Sequence, residues 1–170
     1  MKFLKLLGFT ILMVGTVVGY IPYWLRSQYP QELELGTFKY LGWLFILFGV
    51  LLYGWSALTF LLKGDGTPAI WFTKHLKFLV GEEPRKIVTQ GLYRFSRNPM
   101  YVGVLSFVVG EAFLLESRVL LTYSLIVSAV FYLTVVLVEE PHLKKKYGQE
   151  YADYLQSTPR WLSILPRREK

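Results

Sequence analysis

Three uncharged apolar runs constrain the fold of this chain more than any other feature of its sequence. They extend from Leu6 to Leu25, from Tyr40 to Leu62 and from Val119 to Val138. Each has about the ~20 residues that a helix needs to cross the hydrocarbon core of a bilayer. Because 53% of the 170 residues are hydrophobic and only 18% are charged, a soluble domain of this size would struggle to bury its apolar surface. We therefore expect an all-α, polytopic membrane helical bundle.

A fourth run, from Asn98 to Gly110, is shorter and reaches Leu115 only by including one acidic residue, Glu111. The run predicts either a tilted, poorly matched transmembrane helix or half of a tight hairpin with the last run. Glu111 is then either an intramembrane polar site or a residue at which a short helix has already reached the far interface. Counting this run, we expect about four transmembrane helices, with interfacial and C-terminal cytoplasmic helices in addition.

The first run follows two lysines, as the apolar region of a signal peptide does. It is longer than such a region and lacks a clear small-x-small cleavage site, so we interpret it as a retained span. It also contains a GxxxG motif, Gly15 to Gly19, which predicts the close approach of another helix.

The distribution of basic residues predicts the orientation. Of the 19 Lys and Arg, seven lie from Lys63 to Arg97 and seven follow Val138. Cytoplasmic loops carry the positive excess, so we expect both termini and the central loop to be cytoplasmic. The net charge of +7 thus follows the membrane topology, which argues against nucleic-acid binding.

We divide the chain into N-terminal transmembrane helices, residues 1–63, and a core of residues 64–170. In the core, Ile70 to Leu79 combines aromatic and basic residues, as interfacial segments do. Near the C-terminus, four apolar or aromatic residues recur at helical spacing and predict one amphipathic helix that lies back against the membrane-facing part of the protein. They are Leu143, Tyr147, Tyr151 and Tyr154.

Several kinds of catalytic site are missing from the sequence. The chain has no cysteine and no GxSxG, P-loop or HExxH motif. Glu139, Glu140 and His142 could be imagined as metal ligands, but we expect Pro141 to interrupt the helix between them. We therefore expect no metal site and interpret His142 as an interfacial polar residue.

Two polar segments remain on the same predicted face of the membrane. The first, Arg85 to Tyr101, is rich in basic, aromatic and amide groups and leads into a helix whose first turn begins at Pro99, a position that favours an anion. The second is Glu139-Glu140 at the end of the last run, where the helix dipole makes two carboxylates unfavourable without a cation. Each alone could be a membrane anchor or a solvated turn. Together they suit a zwitterionic ligand with a cationic centre.

At these residues the chain resembles the integral-membrane, S-adenosylmethionine-dependent methyltransferases, which include isoprenylcysteine carboxyl methyltransferases and bacterial phospholipid methyltransferases. The matching stretches are "GDGTPA" from Gly64, "RKIVTQGLYRFSRNPMYVG" from Arg85 and "EEPHLKKKYGQEYADYLQSTPRW" from Glu139. The resemblance implies a cofactor pocket that opens to the cytosol under a C-terminal helix, with a lateral opening for a lipophilic or lipid acceptor. It also implies a bacterial or archaeal cytoplasmic membrane.

By matching position, the resemblance assigns the binding of S-adenosyl-L-methionine to a set of residues around both segments. We expect Arg97 and Glu140 to be catalytic. Arg97 would hold the cofactor carboxylate or orient the acceptor, and a glutamate of the pair would hold the cationic part of the cofactor or accept a proton. The expected cofactor-binding residues are Arg85, Lys86, Ile87, Val88, Tyr93, Asn98, Pro99, Met100, Tyr101 and Glu139.

The chain departs from the family pattern at three positions. Many relatives have His where this chain has Asn98, although both can form hydrogen bonds. The carboxyl methyltransferase branch has basic residues where this chain has Val135 and Ser157. An amine headgroup or another small lipophilic nucleophile is therefore open as the acceptor. The alternative to an enzyme is a non-enzymatic membrane assembly or transporter-associated protein.

Overall fold

The computed structural model describes residues 2–63 and 86–163. Within these ranges the chain is helical, with one isolated β-bridge and no β-strand. We number the helices α1 (Phe3–Gln28), α2 (Gly36–Lys63), α3 (Pro99–Leu114), α4 (Arg118–Tyr147) and α5 (Gln149–Ser157). The predicted interfacial segment and the matching stretch that begins at Gly64 lie outside the described residues. The predicted division of the chain after residue 63 stays a prediction.

Three helices are long and apolar enough to cross a bilayer. They are α1 with 26 residues, α2 with 28 and α4 with 30, and they contain the three apolar runs of the sequence. The all-helical membrane bundle is thereby confirmed. Helix α3 has 16 residues, or ~24 Å at 1.5 Å per residue, which is shorter than a ~30 Å hydrocarbon core. Four spans and the cytoplasmic placement of the remaining helices stay predictions.

Helices α2 and α3 pack closely in antiparallel orientation because glycines face each other across the pair. A Cβ atom added at Gly49 would lie 2.5 Å from the carbonyl oxygen of Gly103, and one at Gly42 would lie 2.5 Å from that of Gly110. The close approach predicted for the GxxxG motif of α1 is wrong for the described residues. A Cβ atom at Gly19 meets nothing within 4 Å there. The glycines that allow close helix packing are instead seven residues apart, at Gly42 and Gly49 on α2 and at Gly103 and Gly110 on α3.

Prolines are accommodated in α1 and α4 by π-helical turns. One such turn, Thr16–Tyr20, precedes Pro22, and another, Val135–Glu139, precedes Pro141. Proline lacks the N–H that the α-helical ladder needs and clashes with the preceding turn, and a wider turn relieves both problems. The prediction that Pro141 interrupts the helix is therefore wrong, because α4 continues to Tyr147.

The α1–α2 and α3–α4 connections meet at one end of the bundle, which we call the distal end. The N–H of Leu33 donates to the carbonyl of Glu116, and the N–H of Arg118 donates to that of Gln31. The Glu116 carboxylate also accepts hydrogen bonds from the Leu35 N–H at 3.1 Å and the Lys39 Nζ at 3.0 Å. These bonds hold the adjoining ends of α1, α2, α3 and α4 together at the distal end.

The opposite end, which we call the pocket end, is formed by residues 86–98, the last turns of α4, α5 and the tail to residue 163. The predicted amphipathic helix is divided here, because Gly148 adopts a φ of +59° that ends α4. Glycine reaches this conformation without the steric penalty that a Cβ atom brings. The tail then returns to the bundle, where the Arg97 N–H donates to the carbonyl of Pro159 at 2.9 Å.

Candidate active site

A cavity of about 420 Å³ runs from the pocket end into the helical bundle. Val130 and Glu139 both line it, although they lie nine residues, or ~13 Å, apart along α4. Its walls change from polar at the pocket end to apolar between the long helices. The polar wall includes Lys86, Arg97, Asn98, Tyr101, Glu139, His142 and Tyr151, and the apolar wall includes Phe9, Met13, Val14, Val17, Val104, Val130 and Phe131.

Of the two adjacent glutamates, Glu139 lines the cavity and Glu140 does not. The hydroxyl of Tyr101 donates a hydrogen bond to Oε1 of Glu139. The Tyr101 ring in turn packs edge-to-face on Phe131, with ring centroids 4.6 Å apart. The first turn of α3 thus positions a carboxylate of α4 at the cavity wall.

Glu140 is held by two arginines. Its Oε1 lies 2.9 Å from Nη1 of Arg97 and 2.7 Å from Nε of Arg160, and its Oε2 lies 3.0 Å from Nη2 of Arg160. Both glutamates lie within α4 rather than at its C-terminus, so the predicted conflict with the helix dipole does not arise. The cations that compensate Glu140 come from the protein.

Arg97 has one donor without a partner among the described residues. Its side chain is 9% exposed and pairs with Glu140 through Nη1. Its Nε is buried and has no hydrogen-bond partner among the residues that the structure describes. Since buried polar groups in proteins are almost always paired, this N–H is a candidate donor for a bound ligand.

The segment that carries Arg97 is fastened to the tail. The Asn98 side-chain amide donates to the carbonyl of Arg160 at 3.1 Å, and its backbone N–H donates to Oγ of Ser96 at 3.0 Å. Oγ of Ser96 donates to the same Arg160 carbonyl at 3.3 Å. Asn98 therefore joins the start of α3 to the tail as well as lining the cavity.

Three buried tyrosines surround the polar part of the cavity. Burial raises the pKa of Tyr151 to about 12, partly opposed by the positive charge of Arg97. Burial also raises the pKa of Tyr93 and of Tyr154, whose hydroxyl donates to the Tyr93 carbonyl at 2.7 Å. At physiological pH these phenols stay neutral. A proton acceptor at this site would therefore be a carboxylate or an imidazole group.

The resemblance noted in the sequence is supported by comparison with known proteins. The phospholipid methyltransferase family matches residues 40–150, which include most of α2 and all of α3 and α4. The chain belongs to this family. No solved structure matches it.

The individual relatives of this chain carry two kinds of name, isoprenylcysteine O-methyltransferase and phosphatidylethanolamine N-methyltransferase. Protein-S-isoprenylcysteine O-methyltransferase B of Arabidopsis thaliana is 33% identical over 85 residues, which are 50% of this chain and 43% of the relative. Protein-S-isoprenylcysteine O-methyltransferase of Schizosaccharomyces pombe is 27% identical over 120 residues, 67% of this chain and 51% of the relative. Phosphatidylethanolamine N-methyltransferase of Arthroderma benhamiae is 34% identical over 79 residues, 46% of this chain and 8% of the relative.

The family member described here spans about half the length, or less, of these curated relatives. All three are eukaryotic proteins, so they lend no support to the predicted bacterial or archaeal membrane. Family membership and the three apolar helices together establish an integral membrane protein.

Most of the residues that the family resemblance assigned lie around one cavity. Pro99 is buried beside it and does not line it, Glu140 lies behind Glu139, and Arg85 lies outside the described residues. Their functional roles stay predictions. The assigned residues that line the cavity are Lys86, Ile87, Val88, Tyr93, Arg97, Asn98, Met100, Tyr101 and Glu139.

Two contributors to the site were not predicted from the sequence: the α1 residues that line the cavity, and Arg160. The α1 wall gave no signal, because its residues belong to a uniformly apolar run. Arg160 gave only a weak one, as a single arginine in the matching tail. His142, interpreted as an interfacial residue, lines the cavity. The four residues of helical spacing near the C-terminus, Leu143, Tyr147, Tyr151 and Tyr154, line it as well.

Proposed function

We propose that this protein is an S-adenosylmethionine-dependent methyltransferase that acts on a lipophilic acceptor within the membrane. The observation that carries the proposal is the composition of the cavity wall. A buried, unpartnered Arg97 Nε and the Glu139 carboxylate lie at its polar end, and a wall of α1, α3 and α4 residues forms its apolar end. The names of the relatives support methyl transfer as the chemistry.

The polar end fits the proposed cofactor. The whole cavity, of which it is one part, has a volume of about 420 Å³, within the ~300–1,000 Å³ typical of small-molecule sites. S-adenosylmethionine carries a carboxylate, an ammonium group and a sulfonium, and when bound it supplies an activated methyl group. Arg97 Nε would hold the carboxylate, and Glu139 would face the positive groups. Lys86, Ile87, Val88, Tyr93, Asn98 and Met100 would complete the contacts.

Catalysis would rest on positioning and on the exclusion of water. Leu143, Tyr147 and Tyr151 close the polar end from one side, so a nucleophile that enters from the apolar end would meet the methyl donor in a dry, oriented site. If the acceptor is an amine, Glu139 is the carboxylate at the cavity that can take its proton. Glu140, which is paired with Arg97 and Arg160, would instead stabilise the structure of the pocket wall.

The acceptor would be lipophilic because most of the cavity wall is apolar. Val14 and Val17 of α1, Val104 of α3 and Val130 of α4 line this part. Val135, where the carboxyl methyltransferase branch has an arginine, is 1% exposed and supplies no positive charge. An amine or another small nucleophile on a hydrophobic chain is the acceptor that we propose.

We also propose that the pocket end faces the cytoplasm, with both termini on that side and α3 as a short fourth span. The positive-inside distribution of Lys and Arg supports this orientation. Hydrogen bonds between the loop of α1–α2 and the loop of α3–α4 support it too, because they place both loops at the distal end.

Cofactor binding by the purified protein in detergent tests the first step. We expect isothermal titration calorimetry to show binding that Glu139→Gln weakens at least ~10-fold. Glu150→Gln, at an exposed position on α5, is the matched control and should bind normally. Absence of binding by a folded sample would contradict the proposal.

Methyl transfer is tested with membranes that contain or lack the protein. Cofactor labelled in its methyl group should transfer the label to a lipid-extractable product only when the protein is present. Binding without any transfer, over a range of membrane lipids, would favour the non-enzymatic alternative.

A further inference from the structure

We propose that a second site, at the distal end, binds the headgroup of a zwitterionic phospholipid through Glu111 and Arg26. This site lies at the opposite end of the bundle from the cavity described above. It does not depend on the proposed methyltransferase activity.

The site is a cleft of about 470 Å³ between the last turns of α1 and the end of α3. The α1 residues that form it recur at intervals of three and four and so share one face of that helix. The lining residues are Gly19, Pro22, Tyr23, Arg26, Ser27, Pro30, Glu111 and Leu115.

Glu111 supplies the negative side of the cleft. Its Oε2 is buried and has no hydrogen-bond partner in the part of the chain that the structure describes. An ionised carboxylate with a buried, unpaired oxygen is costly, and a cation from outside the chain would compensate it. No feature of the polar cavity or of the helix packing accounts for this acid.

Arg26 supplies the positive side. It lies in the last turn of α1, where it is exposed, and it forms no ion pair within the described residues. Arg26 and Glu111 both line the cleft but do not neutralise each other. The cleft therefore holds a carboxyl group and a guanidinium that are not paired with each other.

Two opposite charges in one cleft select a zwitterion. A simple cation at Glu111 would leave Arg26 uncompensated, and a simple anion at Arg26 would approach the Glu111 carboxylate. A headgroup with a phosphate and a primary ammonium satisfies both, the phosphate through the guanidinium and the ammonium through the carboxylate. Arginine forks match phosphate oxygens particularly well.

The position of the cleft supports a lipid rather than a soluble zwitterion. Glu111 lies one turn before the end of α3, at the level where the apolar part of the bundle ends. Exposed aromatic residues surround this end of α1, as they do at the headgroup level of membrane proteins. They are Tyr20, Tyr23, Trp24 and Tyr29, exposed by 68%, 76%, 47% and 52%.

Native mass spectrometry of the protein in detergent can count bound lipids. We expect one molecule of dioleoylphosphatidylethanolamine to be retained in preference to dioleoylphosphatidylglycerol. Glu111→Gln and Arg26→Gln should each reduce its retention at least ~10-fold. Glu34→Gln removes an exposed acid of the same end that does not line the cleft, and it should leave retention unchanged.

A third variant distinguishes lipid binding at this cleft from lipid binding in the polar cavity. Glu139→Gln changes the polar cavity, so a lipid lost in Glu139→Gln but kept in Glu111→Gln would belong to the cavity and would overturn this proposal. Equal retention of both lipids by the wild type would also overturn it. So would competition by water-soluble glycerophosphoethanolamine as effective as that of the lipid. Because Arg26 is exposed, its variant tests the site without disturbing the fold.

Discussion

Arg160 forms a bidentate ion pair with Glu140: Nε lies 2.7 Å from Oε1 and Nη2 lies 3.0 Å from Oε2. This pair joins the tail to α4, and the hydrogen bond from the guanidinium to Glu140 raises the pKa of Arg160. The guanidinium also lies over the ring of Tyr132, 5.7 Å from its centroid. Because Arg97 binds the same carboxylate, Glu140 organises the wall of the pocket from behind.

Glu140→Ala should destabilise the fold more than Arg160→Ala. Removal of Glu140 leaves Arg97, 9% exposed, as an uncompensated charge, and we expect a loss of ~3 kcal/mol. Arg160 is 30% exposed, so its removal should cost only about 1 kcal/mol. Chemical unfolding in detergent measures both, with Lys144→Ala at an exposed position of α4 as control. A larger loss for Arg160→Ala would contradict the assignment.

Gly49→Ala should weaken the α2–α3 pair. Its Cβ atom would lie 2.5 Å from the carbonyl oxygen of Gly103, and backbone cannot move away as a flexible side chain can. We expect a loss of ~1–3 kcal/mol, seen as a lower thermal unfolding midpoint. Gly54→Ala is the matched control on the same helix, because its Cβ atom meets nothing within 4 Å. Equal midpoints for the two variants would show that the close approach is not maintained.

Tyr154→Phe should cost about 2 kcal/mol of unfolding free energy. The change removes the hydroxyl that donates to the Tyr93 carbonyl at 2.7 Å and leaves that acceptor buried without this partner. Tyr132→Phe, at a side chain that is 46% exposed, should have little effect. If the two variants unfold alike, the buried hydrogen bond does not contribute as the geometry indicates.

Glu116 should make the distal end sensitive to acid. Hydrogen bonds from Lys39, and then from the Leu35 N–H, lower the pKa of Glu116 in the folded protein from 4.5. A lowered pKa means that the ionised group stabilises the fold above about pH 4.5, and that this contribution is lost as pH falls through the folded pKa. Glu116→Gln should therefore lower the unfolding midpoint at pH 7, and the difference from wild type should shrink towards pH 3.5.

A matched variant controls for general acid effects. Glu34→Gln lies on the α1–α2 loop, which meets the loop of Glu116 at the distal end, and is exposed; it should show no such convergence with the wild type. A difference between wild type and Glu116→Gln that stays constant from pH 7 to pH 3.5 would contradict the role of the carboxylate.

Local sequence patterns were enough to predict the three long apolar helices and the two polar segments of the site. A run of ~20 uncharged residues must satisfy its backbone hydrogen bonds locally in a bilayer, so it becomes a helix whatever its neighbours do. The same local logic located Arg97 and Asn98 before the start of α3, and it singled out the glutamate pair after the last apolar run, although the pair lies within α4 rather than at its end. It failed at Pro141, because a π-helical turn accommodates the proline within α4.

Only the tertiary structure decided which of these groups face the cavity. Adjacent residues on a helix point ~100° apart, so the packing of α4 against α3 and the tail directs Glu139 inward and Glu140 towards Arg97 and Arg160. The apolar wall from α1 and the cleft at Glu111 likewise depend on contacts between segments far apart in the chain. No local pattern of residues contains that information, because helices that are apolar on all sides can pack through any face.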